Sequence, residues 1–553
     1  MPAARRQPLA RLAAEPAELL VIGGGIVGAG IARDAAMRGV RTVLVERHDL
    51  GFGSSSRSSR LVHGGLRYLE QGAFRLVAEA NRERAVLLRI APHLVRPLPF
   101  VFPVHTGDRV GRLRLAAGLW LYDMLALFRN VGRHQWLSRE RLLDAEPVVR
   151  DRGLQGGARY YDAQCDDARL VVATARSALA HGASIATYSS VHGLLREGGR
   201  IMGAEVEDRL SGARVTVRAE AVINATGPWS DGLRRLEESA ATPLLRTTKG
   251  VHVVVLRSRL GHHEAITFTS PIDGRVMFLL PWGDLSYIGT TDTDSTEHPE
   301  AVRADGADVL YLLRSANAQF PGAHLTEDDV RATWAGLRPL LAGAGASSAS
   351  AVSREHAIVE GAGGMLTVAG GKLTTYRSMA AEAVDRAVPK LARRRLLRPE
   401  AGTDRESLPG GETADLEPFR AQGLDAGFSA ATVEHLLRHY GTEAAGLYNL
   451  ARSNRALAMP LTPGHPAIAA EVVHAARREL AQRVDDVLVR RIHLFYETPD
   501  QGRDAARKTA ALLAAQLGWS AERTADEVRR YDALVAGGGA LPTTEPTGAT
   551  TAR

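Results

Sequence analysis

The chain has 553 residues, enough for three to four domains of ordinary size, which excludes a small disulfide scaffold. Hydrophobic residues make up 45% and charged residues 24% of it, a globular composition that excludes a wholly disordered or collagen-like protein. The 69 basic and 62 acidic residues leave a net charge of +7, which favours anionic small molecules or an anionic membrane surface over nucleic acid.

Residues 1–18 are predicted to form a flexible tail, because glutamates interrupt the approach to the first apolar run. No stretch reaches the roughly 18–20 uninterrupted apolar residues that a membrane-spanning helix needs. Cys165 is the single cysteine and has no partner for an internal disulfide. We therefore expect a reducing compartment and no metal site.

A strand, a glycine-rich turn and a helix follow the tail. The apolar run Leu19–Ile22 predicts a buried parallel strand. Gly23, Gly25 and Gly28 form a G-x-G-x-x-G pattern, and residues 26–38 have the apolar spacing of a helix. The first glycine allows the tight turn, the second lets backbone N–H groups approach a pyrophosphate, and the third lets helix and strand pack closely. The pattern predicts a dinucleotide site at the helix N-terminus.

A second strand, residues 42–45, ends at Glu46, 21 residues after Gly25. A carboxylate at this spacing accepts the ribose hydroxyls of the adenosine, which favours FAD or NAD over NADP. The loop 53–60 (GSSSRSSR) is either a solvated linker or a continuation of the cofactor site. In the second interpretation, its cofactor-binding residues are Ser54, Ser55, Ser58 and Ser59.

Residues 113–131 (LRLAAGLWLYDMLALFRNV) are apolar, carry aromatic side chains and are flanked by arginines. The segment is too interrupted to span a membrane. Two interpretations stay open: an interfacial helix at a membrane surface, or a core helix of a globular domain.

Two further features lie near glycines. The strand-like run 221–225 ends in Thr226 and Gly227, a second turn suited to close approach by a cofactor. Only four of the 69 basic residues are lysine, and two of these, Lys249 and Lys372, lie beside glycine. In a chain that otherwise uses arginine, this indicates positions that need a compact, strongly hydrated amine.

Six sequence blocks, in this order, resemble the FAD-dependent, aerobic and quinone-linked glycerol-3-phosphate dehydrogenase family: GGGIVGAGIARDAAMRG, SSRLVHGGLRYLE, NATGPW, PWGDLSYIGTTD, GLRPL and GGKLTTYR. They span about residues 19–380, and HGGLRYLE and GGKLTTYR are far more specific than a glycine motif. The segment VDDVLVRRIHL in the C-terminal third is compatible with the family. The resemblance implies an α/β fold, with a glutathione-reductase-like FAD-binding Rossmann domain, a mixed-sheet substrate domain and a helical C-terminal cap.

The implied domains divide residues 19–400 into two discontinuous parts. The FAD-binding part takes about residues 19–95, 155–235 and 340–390, and the substrate part takes about residues 96–154 and 236–339. A Gly/Glu/Asp/Pro-rich linker, 401–416, leads to a helical domain over residues 417–535. Residues 537–553 are rich in Gly, Thr, Pro and Ala and are expected to be disordered.

The reaction implied by the resemblance is oxidation of sn-glycerol 3-phosphate to dihydroxyacetone phosphate by hydride transfer to bound FAD. A phosphomonoester dianion needs fixed cations, preferably forked arginine donors. By resemblance, Arg338 in the GLRP block is the phosphate clamp, and Lys249 contacts the substrate or orients that wall. The implied substrate-binding residues are Arg67, Tyr68, Lys249, Arg338, Arg354 and Lys372.

Alcohol oxidation also needs a base for the hydroxyl proton, and flavin N5 accepts the hydride. His63 is the candidate, because an imidazole has an ordinary pKa of about 6.5 and two glycines follow it. Alternatively, His63 packs against the flavin or fixes the loop, and Lys372 is the rival because a cation stabilises a developing alkoxide. Gly371 and Thr374 would hold a helix N-terminus toward the flavin pyrimidine ring.

The family's usual electron acceptor is a membrane quinone, whereas close relatives use oxygen, and the sequence does not separate the two. The resemblance implies a cytoplasmic enzyme, peripheral at the inner face of the membrane, with a homodimer as one option and no nucleic-acid partner. Two other functions stay open. A flavin amine oxidase of the sarcosine or D-amino acid class would bind a carboxylate, and a non-catalytic flavoprotein would bind FAD without reduction by substrate.

Overall fold

The computed structural model describes residues 9–126, 131–342 and 355–538, apart from the side chains of Arg67, Glu70 and Gln71. Its strands in chain order are β1 (Ala17–Ile22), β2 (Thr42–Val45), β3 (Leu61–Val62), β4 (Val95–His105), β5 (Gln135–Leu137), β6 (Leu154–Cys165), β7 (Ser184–Ala186), β8 (Ser189–Glu197), β9 (Arg200–Asp208), β10 (Arg214–Asn224), β11 (Leu245–Leu256), β12 (Ala265–Thr269), β13 (Val276–Trp282), β14 (Leu285–Gly289), β15 (Thr293–Asp294), β16 (Val330–Leu341), β17 (His356–Glu360) and β18 (Leu366–Gly370).

The α-helices in chain order are α1 (Leu9–Ala14), α2 (Ile26–Met37), α3 (Phe74–Ile90), α4 (Arg112–Leu125), α5 (Arg139–Ala145), α6 (Asp167–Ala180), α7 (Ser230–Glu237), α8 (Gly306–Gln319), α9 (Tyr376–Ala387), α10 (Glu417–Asp425), α11 (Ala430–Tyr440), α12 (Ala444–Ser453), α13 (Ala469–Arg478), α14 (Val484–Arg490), α15 (Leu494–Glu497), α16 (Arg503–Leu517) and α17 (Ala521–Ala536). Short 3-10 turns join several of them, including Leu66–Gln71 and Leu373–Thr375.

The first sheet has a parallel centre. Strands β18, β10, β1, β2 and β7 lie side by side in this order and run parallel, and β17 adds an antiparallel edge. All residues of β1 are buried, as expected for a central parallel strand. The chain passes from β1 through α2 to β2, and α2 packs against α6 and α9. This βαβ unit confirms the predicted Rossmann-type domain.

The second sheet is mixed, also as predicted. Its order is β15, β11, β14, β13, β12, β4, β6 and β3, with β16 paired to β11 and β5 to β6. Strands β12 and β4 run parallel, whereas the other pairs are antiparallel. The predicted boundary near residue 155 needs correction, because β6 pairs along β4 and belongs to this sheet. Helix α8 packs on the sheet through Leu312 and Ala316, and Phe320 directly after the helix belongs to the same cluster.

The C-terminal region is helical, as predicted, and packs on both other parts. Tyr496 lies between two tryptophans of the second sheet, with ring centres 5.8 Å from Trp282 and 5.6 Å from Trp334. Arg490 Nε and Arg491 Nη1 donate to the buried Asp49 carboxylate of the first part at 2.6 and 2.8 Å. A buried carboxylate with two arginine donors holds the helical region against the domain of the glycine turn.

Part of the predicted N-terminal tail is a helix packed on the first sheet. Residues 9–18 are ordered, because Leu9 and Leu12 of α1 are buried in a cluster with residues of β1 and β10. The prediction of a flexible tail is wrong for these residues. The missed signal is the i, i+3 spacing of the two leucines. Residues 1–8, and residues 539–553 of the predicted C-terminal tail, lie outside the described ranges.

Candidate active site

A cavity of about 1320 Å³ is lined by residues from both sheets. Four of its lining segments directly follow parallel strands of the first sheet: Gly23 after β1, Glu46 after β2, Thr226 after β10 and Gly371 after β18. The carboxyl ends of parallel strands meet at one edge of a sheet, and ligands bind there. The second sheet contributes side chains from β11 and β16.

The glycine turn has the geometry that a pyrophosphate requires. Gly23 has a φ of +110°, and a Cβ at this position would lie 2.6 Å from the carbonyl oxygen of Ala225. Gly25 is the N-cap of α2 and lines the cavity. Gly28 lies beneath the turn, where a Cβ would meet the Gly23 carbonyl oxygen, so its role is close packing. The N-terminus of α2, which borders the cavity, and the glycine backbone before it fit the phosphates of FAD.

Glu46 braces this turn. Its carboxylate accepts hydrogen bonds from the backbone N–H groups of Gly24 at 2.5 Å and His48 at 2.8 Å. Burial raises the pKa of Glu46, while the two hydrogen bonds oppose that rise. The residue lines the cavity at the end of β2, the position at which an adenosine ribose is bound in this type of domain.

The serine-rich loop 53–60 lines the same cavity and is not a solvated linker. Each of its predicted hydroxyls bonds to another segment: Ser54 donates to the Leu337 carbonyl, Ser55 accepts from Ile26 N, Ser58 donates to Asp167, and Ser59 bonds to His252 Nε2. The loop therefore ties the start of α2 to strands β11 and β16, and it orders the wall between the two sheets.

The other predicted cofactor residues connect the turns at the sheet edge. Thr226 Oγ1 donates to Asn224 Oδ1 at 2.7 Å, and Gly227 follows it along the cavity wall. Gly371 has a φ of +84°, which favours glycine at this turn. Thr374 Oγ1 accepts from the backbone N–H of His63 at 3.2 Å. The β18–α9 turn is thereby fixed to the loop that carries His63.

His63, Tyr68 and Lys372 come together although Lys372 is distant in sequence. Lys372 Nζ lies 3.6 Å from the centre of the Tyr68 ring, a cation–π contact. The rings of His63 and Tyr68 are stacked with centres 6.4 Å apart, and all three residues line the cavity. Gly65 is required here, because a Cβ would lie 2.2 Å from the Tyr68 ring.

Arg338 is held in place by the loop after β14. Its Nη1 donates to the Thr291 carbonyl at 3.1 Å and to Asp292 Oδ1 at 3.2 Å, and its Nη2 donates to Thr290 Oγ1 at 2.8 Å. The guanidinium lies over Gly250 of β11, where a Cβ would come within 2.3 Å of Nη2. Glycine at residue 250 thus makes room for the predicted phosphate clamp.

Lys249 is not part of the cavity wall, which corrects its assignment to the substrate pocket. Successive side chains of a strand point to opposite faces, so Lys249 faces away from the side that Gly250 occupies. Its Nζ lies 2.9 Å from Asp305 and 2.8 Å from Asp308 at the start of α8. The Arg67 side chain and Arg354 lie outside the described residues, so their predicted roles stay predictions.

His252 is a cavity residue that the sequence analysis missed. Burial, followed by the nearby Arg338 and Arg60 charges, holds its pKa well below the ordinary value, so the ring is neutral. The ring stacks on Trp334 with centres 4.8 Å apart. Its position two residues after Gly250, which puts both residues on the same face of the strand, could have indicated that His252 lines the cavity.

The chain also contains potential metal ligands away from this cavity. Within the described residues, single ligand atoms of Asp166, His439 and His493 lie within 4.8 Å of one another. His493 Nε2 and Asp166 Oδ2 are 2.7 Å apart, a hydrogen-bond distance. His439 Nδ1 is 2.8 Å from the His435 carbonyl. The cluster is thus a hydrogen-bonded carboxylate–imidazole pair beside a second imidazole, that of His439. The absence of a metal stays a prediction.

Comparisons with known proteins agree with this architecture. A family model described as FAD dependent oxidoreductase matches residues 18–377, and one described as the C-terminal domain of alpha-glycerophosphate oxidase matches residues 401–524. Glycerol-3-phosphate dehydrogenase 2 of Mycobacterium tuberculosis is 42% identical over 540 residues, which cover 97% of this chain and 90% of that protein.

Two further relatives cover most of the chain. The aerobic glycerol-3-phosphate dehydrogenase of Staphylococcus haemolyticus is 36% identical over 493 residues, 87% of each protein. The crystal structure of the glycerol-3-phosphate dehydrogenase from Bacillus halodurans complexed with FAD has a TM-score of 0.81 and 30% identity, and covers 97% of both chains. The chain is thus an enzyme that uses FAD, and it belongs to the family of FAD-dependent glycerol-3-phosphate dehydrogenases.

Proposed function

We propose that this enzyme oxidises sn-glycerol 3-phosphate to dihydroxyacetone phosphate and passes the electrons to a membrane quinone. The observation that carries the first half is one cavity in which Arg338 and the cluster of His63, Tyr68 and Lys372 lie among the predicted FAD-binding residues. A fixed guanidinium suits the phosphate, and an imidazole beside an ammonium suits a reacting alcohol. The names and broad coverage of the relatives support this substrate over an amine.

The chain's own residues divide the work of alcohol oxidation. Arg338 binds the phosphate and so places the neighbouring carbinol. His63 accepts the hydroxyl proton, and the Lys372 ammonium stabilises the developing negative charge on that oxygen. Bound FAD supplies the hydride acceptor. Thr374 keeps the His63 loop and the Lys372 turn in register through its bond to His63 N.

Anaerobic mixing tests the reaction directly. The purified holoenzyme should lose its visible flavin absorption on addition of sn-glycerol 3-phosphate, and dihydroxyacetone phosphate should form in equal amount. Sarcosine serves as the comparison substrate for an amine oxidase. Bleaching by sarcosine alone, or by neither compound, contradicts the proposal.

Replacing Gly250 by alanine should weaken substrate binding without unfolding the protein. The new methyl group would meet the guanidinium of Arg338 and displace it from the position that its hydrogen bonds hold over Gly250. We expect KM for glycerol 3-phosphate to rise by about 10-fold, as for one charge-assisted contact of roughly 1.5 kcal/mol. Steady-state kinetics and the FAD content measure this, with Gly446→Ala on α12 as control, since a Cβ there meets open space. An unchanged KM contradicts the role of Gly250.

Helix α4 supports a membrane contact for the second half of the reaction. Leu113, Ala117, Trp120 and Met124 form an exposed apolar stripe along it, with Leu113 86% and Trp120 62% exposed. Leu115 and Leu119 on the opposite face are buried. One face of the helix thus packs in the core, and the other is an exposed apolar face that suits contact with a membrane surface.

The same helix also borders the cavity. Leu115, Gly118 and Leu121 of α4 line it, and Tyr122 Oη accepts from the backbone N–H of Gly64, next to His63. Exposed arginines 109, 112 and 114 flank the stripe and suit an anionic lipid surface. No helix in the described ranges is long and apolar enough to cross a membrane. The exposed apolar stripe and the neighbouring arginines support our proposal of peripheral attachment through α4 at the inner face of the cell membrane.

A triple variant, Leu113→Gln, Trp120→Gln and Met124→Gln, should bind anionic phospholipid vesicles at least about tenfold more weakly, because it removes the apolar face of α4. Vesicle co-sedimentation measures the binding. The control triple, Leu396→Gln, Leu424→Gln and Met459→Gln, changes exposed apolar residues elsewhere and should bind as before. Equal loss in both triples, or none in the first, contradicts the assignment.

Oxygen is the second candidate acceptor, because the C-terminal family model carries the name of a glycerophosphate oxidase. Reoxidation of the substrate-reduced enzyme separates the two acceptors. A quinone analogue should restore the flavin absorption much faster than air-saturated buffer does. Faster reoxidation by air would make the enzyme an oxidase.

A further inference from the structure

Arg338 shares a buried carboxylate with a second arginine of the cavity. Asp292 Oδ1 lies 3.2 Å from Arg338 Nη1, and Asp292 Oδ2 lies 3.1 Å from Arg275 Nη1. The Asp292 side chain is 3% exposed, whereas the two arginine side chains are 17% and 25% exposed. All three residues line the cavity. The carboxylate is thus buried behind two guanidinium groups that remain accessible.

Within the described group, two guanidinium groups face one buried carboxylate. A buried carboxylate needs a paired cation, and one arginine would satisfy it. Arg275, Asp292 and Arg338 taken together carry a formal charge of +1 beside the cavity. Asp273 also approaches Arg275, at 3.5 Å, but its side chain is 41% exposed and solvent screens it. The excess positive charge suits a phosphomonoester, which carries about −1.5 to −2 near neutral pH.

The three side chains come from separate segments of the second sheet. Arg275 lies in the turn between β12 and β13, Asp292 between β14 and β15, and Arg338 on β16. Thr290 accepts from Arg338 Nη2 and donates to the Thr291 carbonyl, so it braces Arg338. The group is held by several independent contacts, which is what a preorganised anion site requires.

We propose that Arg275 is a second phosphate-binding residue and that Asp292 positions Arg275 and Arg338 as a two-arginine clamp. This inference rests on the proposed oxidation of glycerol 3-phosphate. Two forked donors can bind separate oxygens of the phosphate at once. The clamp would select a phosphomonoester over an uncharged polyol or a single carboxylate, because only the dianion matches both arginines.

Rapid anaerobic mixing of the holoenzyme with increasing glycerol 3-phosphate tests the clamp, since it gives an apparent Kd and a limiting rate of flavin reduction. Arg275→Gln should raise the Kd by about 10- to 100-fold, the range of one charged hydrogen-bond pair. The limiting rate should change less than about threefold, because Arg275 does not take part in proton or hydride transfer. Inhibition by inorganic phosphate should weaken by a similar factor.

Two variants and one control sharpen the test. Arg275→Lys keeps the charge without the fork and should recover part of the affinity. Asp292→Asn should weaken binding and add little further loss when combined with Arg275→Gln, because it acts through the arginines. Arg259→Gln is the matched control, since Arg259 is paired with Asp329 at 2.6 Å outside the cavity, and it should behave as the unchanged enzyme.

The outcomes separate the clamp from the proposed reaction. An Arg275→Gln enzyme with full FAD content and an unchanged Kd overturns the clamp and leaves the reaction standing. If Arg275→Gln loses FAD, the Kd of Arg275→Lys is measured instead. The clamp requires this Kd to be higher than that of the enzyme without substitutions, and an equal Kd overturns it. If glycerol 3-phosphate does not reduce the flavin of the enzyme without substitutions, both the clamp and the proposed reaction are overturned.

Discussion

Replacing His63 by alanine should slow anaerobic flavin reduction by glycerol 3-phosphate about 10²- to 10⁴-fold, the usual loss for a general base. The expected effect is on the limiting rate, because His63 is proposed to accept a proton and the phosphate contacts lie elsewhere. Its ring shares the cavity with Tyr68 and Lys372, next to the turn that follows β18. Rapid-mixing absorbance measurements of the reduction rate check this.

The control for His63→Ala is His192→Ala, an exposed histidine of β8 outside the cavity, which should leave the rate unchanged. Lys372→Met distinguishes the rival base. A near-normal rate in His63→Ala together with a large loss in Lys372→Met would transfer the proton-accepting role to Lys372. Full FAD content in each variant shows that the β18–α9 turn remains intact.

Replacing Arg338 by alanine should raise KM for glycerol 3-phosphate about 10²- to 10³-fold while FAD stays bound. The change removes a charge-assisted phosphate contact and also takes one of the two arginines away from the buried Asp292. This effect should exceed that of Gly250→Ala, which displaces the guanidinium but keeps it in the protein.

Steady-state kinetics with the FAD absorption as a measure of folding check the Arg338 prediction. Arg259→Ala removes a guanidinium from the turn between β11 and β12, outside the cavity, and serves as its control. If Arg338→Ala keeps the KM of the unchanged enzyme, Arg338 does not bind the phosphate. A loss of kcat alone would place it nearer the reacting carbinol.

The first βαβ unit could be predicted closely, because its signals are local. The predicted helix 26–38 is observed as Ile26–Met37, and the strand 42–45 has the predicted bounds. The glycine pattern and Glu46 at the strand end also keep their predicted positions at the cavity. Each of these features depends on residues that are close together in the sequence. They could therefore be predicted without knowing how distant segments pack.

The two lysines that lie beside glycine show that a local sequence pattern does not determine where a side chain lies in the fold. Lys249 and Lys372 share the same local pattern, yet Lys372 lines the cavity, whereas Lys249 pairs with Asp308 of α8 and with Asp305, the N-cap of that helix. A glycine neighbour does not tell which face of a strand a side chain occupies. That depends on which face of β11 receives the helix, and α8 begins more than fifty residues later in the chain.

The sequence by itself determined the cofactor domain, the family and the residue types that the chemistry needs. Only the tertiary structure decided which cations face the cavity. Arg275 and Asp292 have no local motif, and they meet Arg338 because antiparallel strands of one sheet bring three distant segments to the same wall. The long-range pairing of strands, and the charge balance that it creates, cannot be derived from the spacing of residues along the chain.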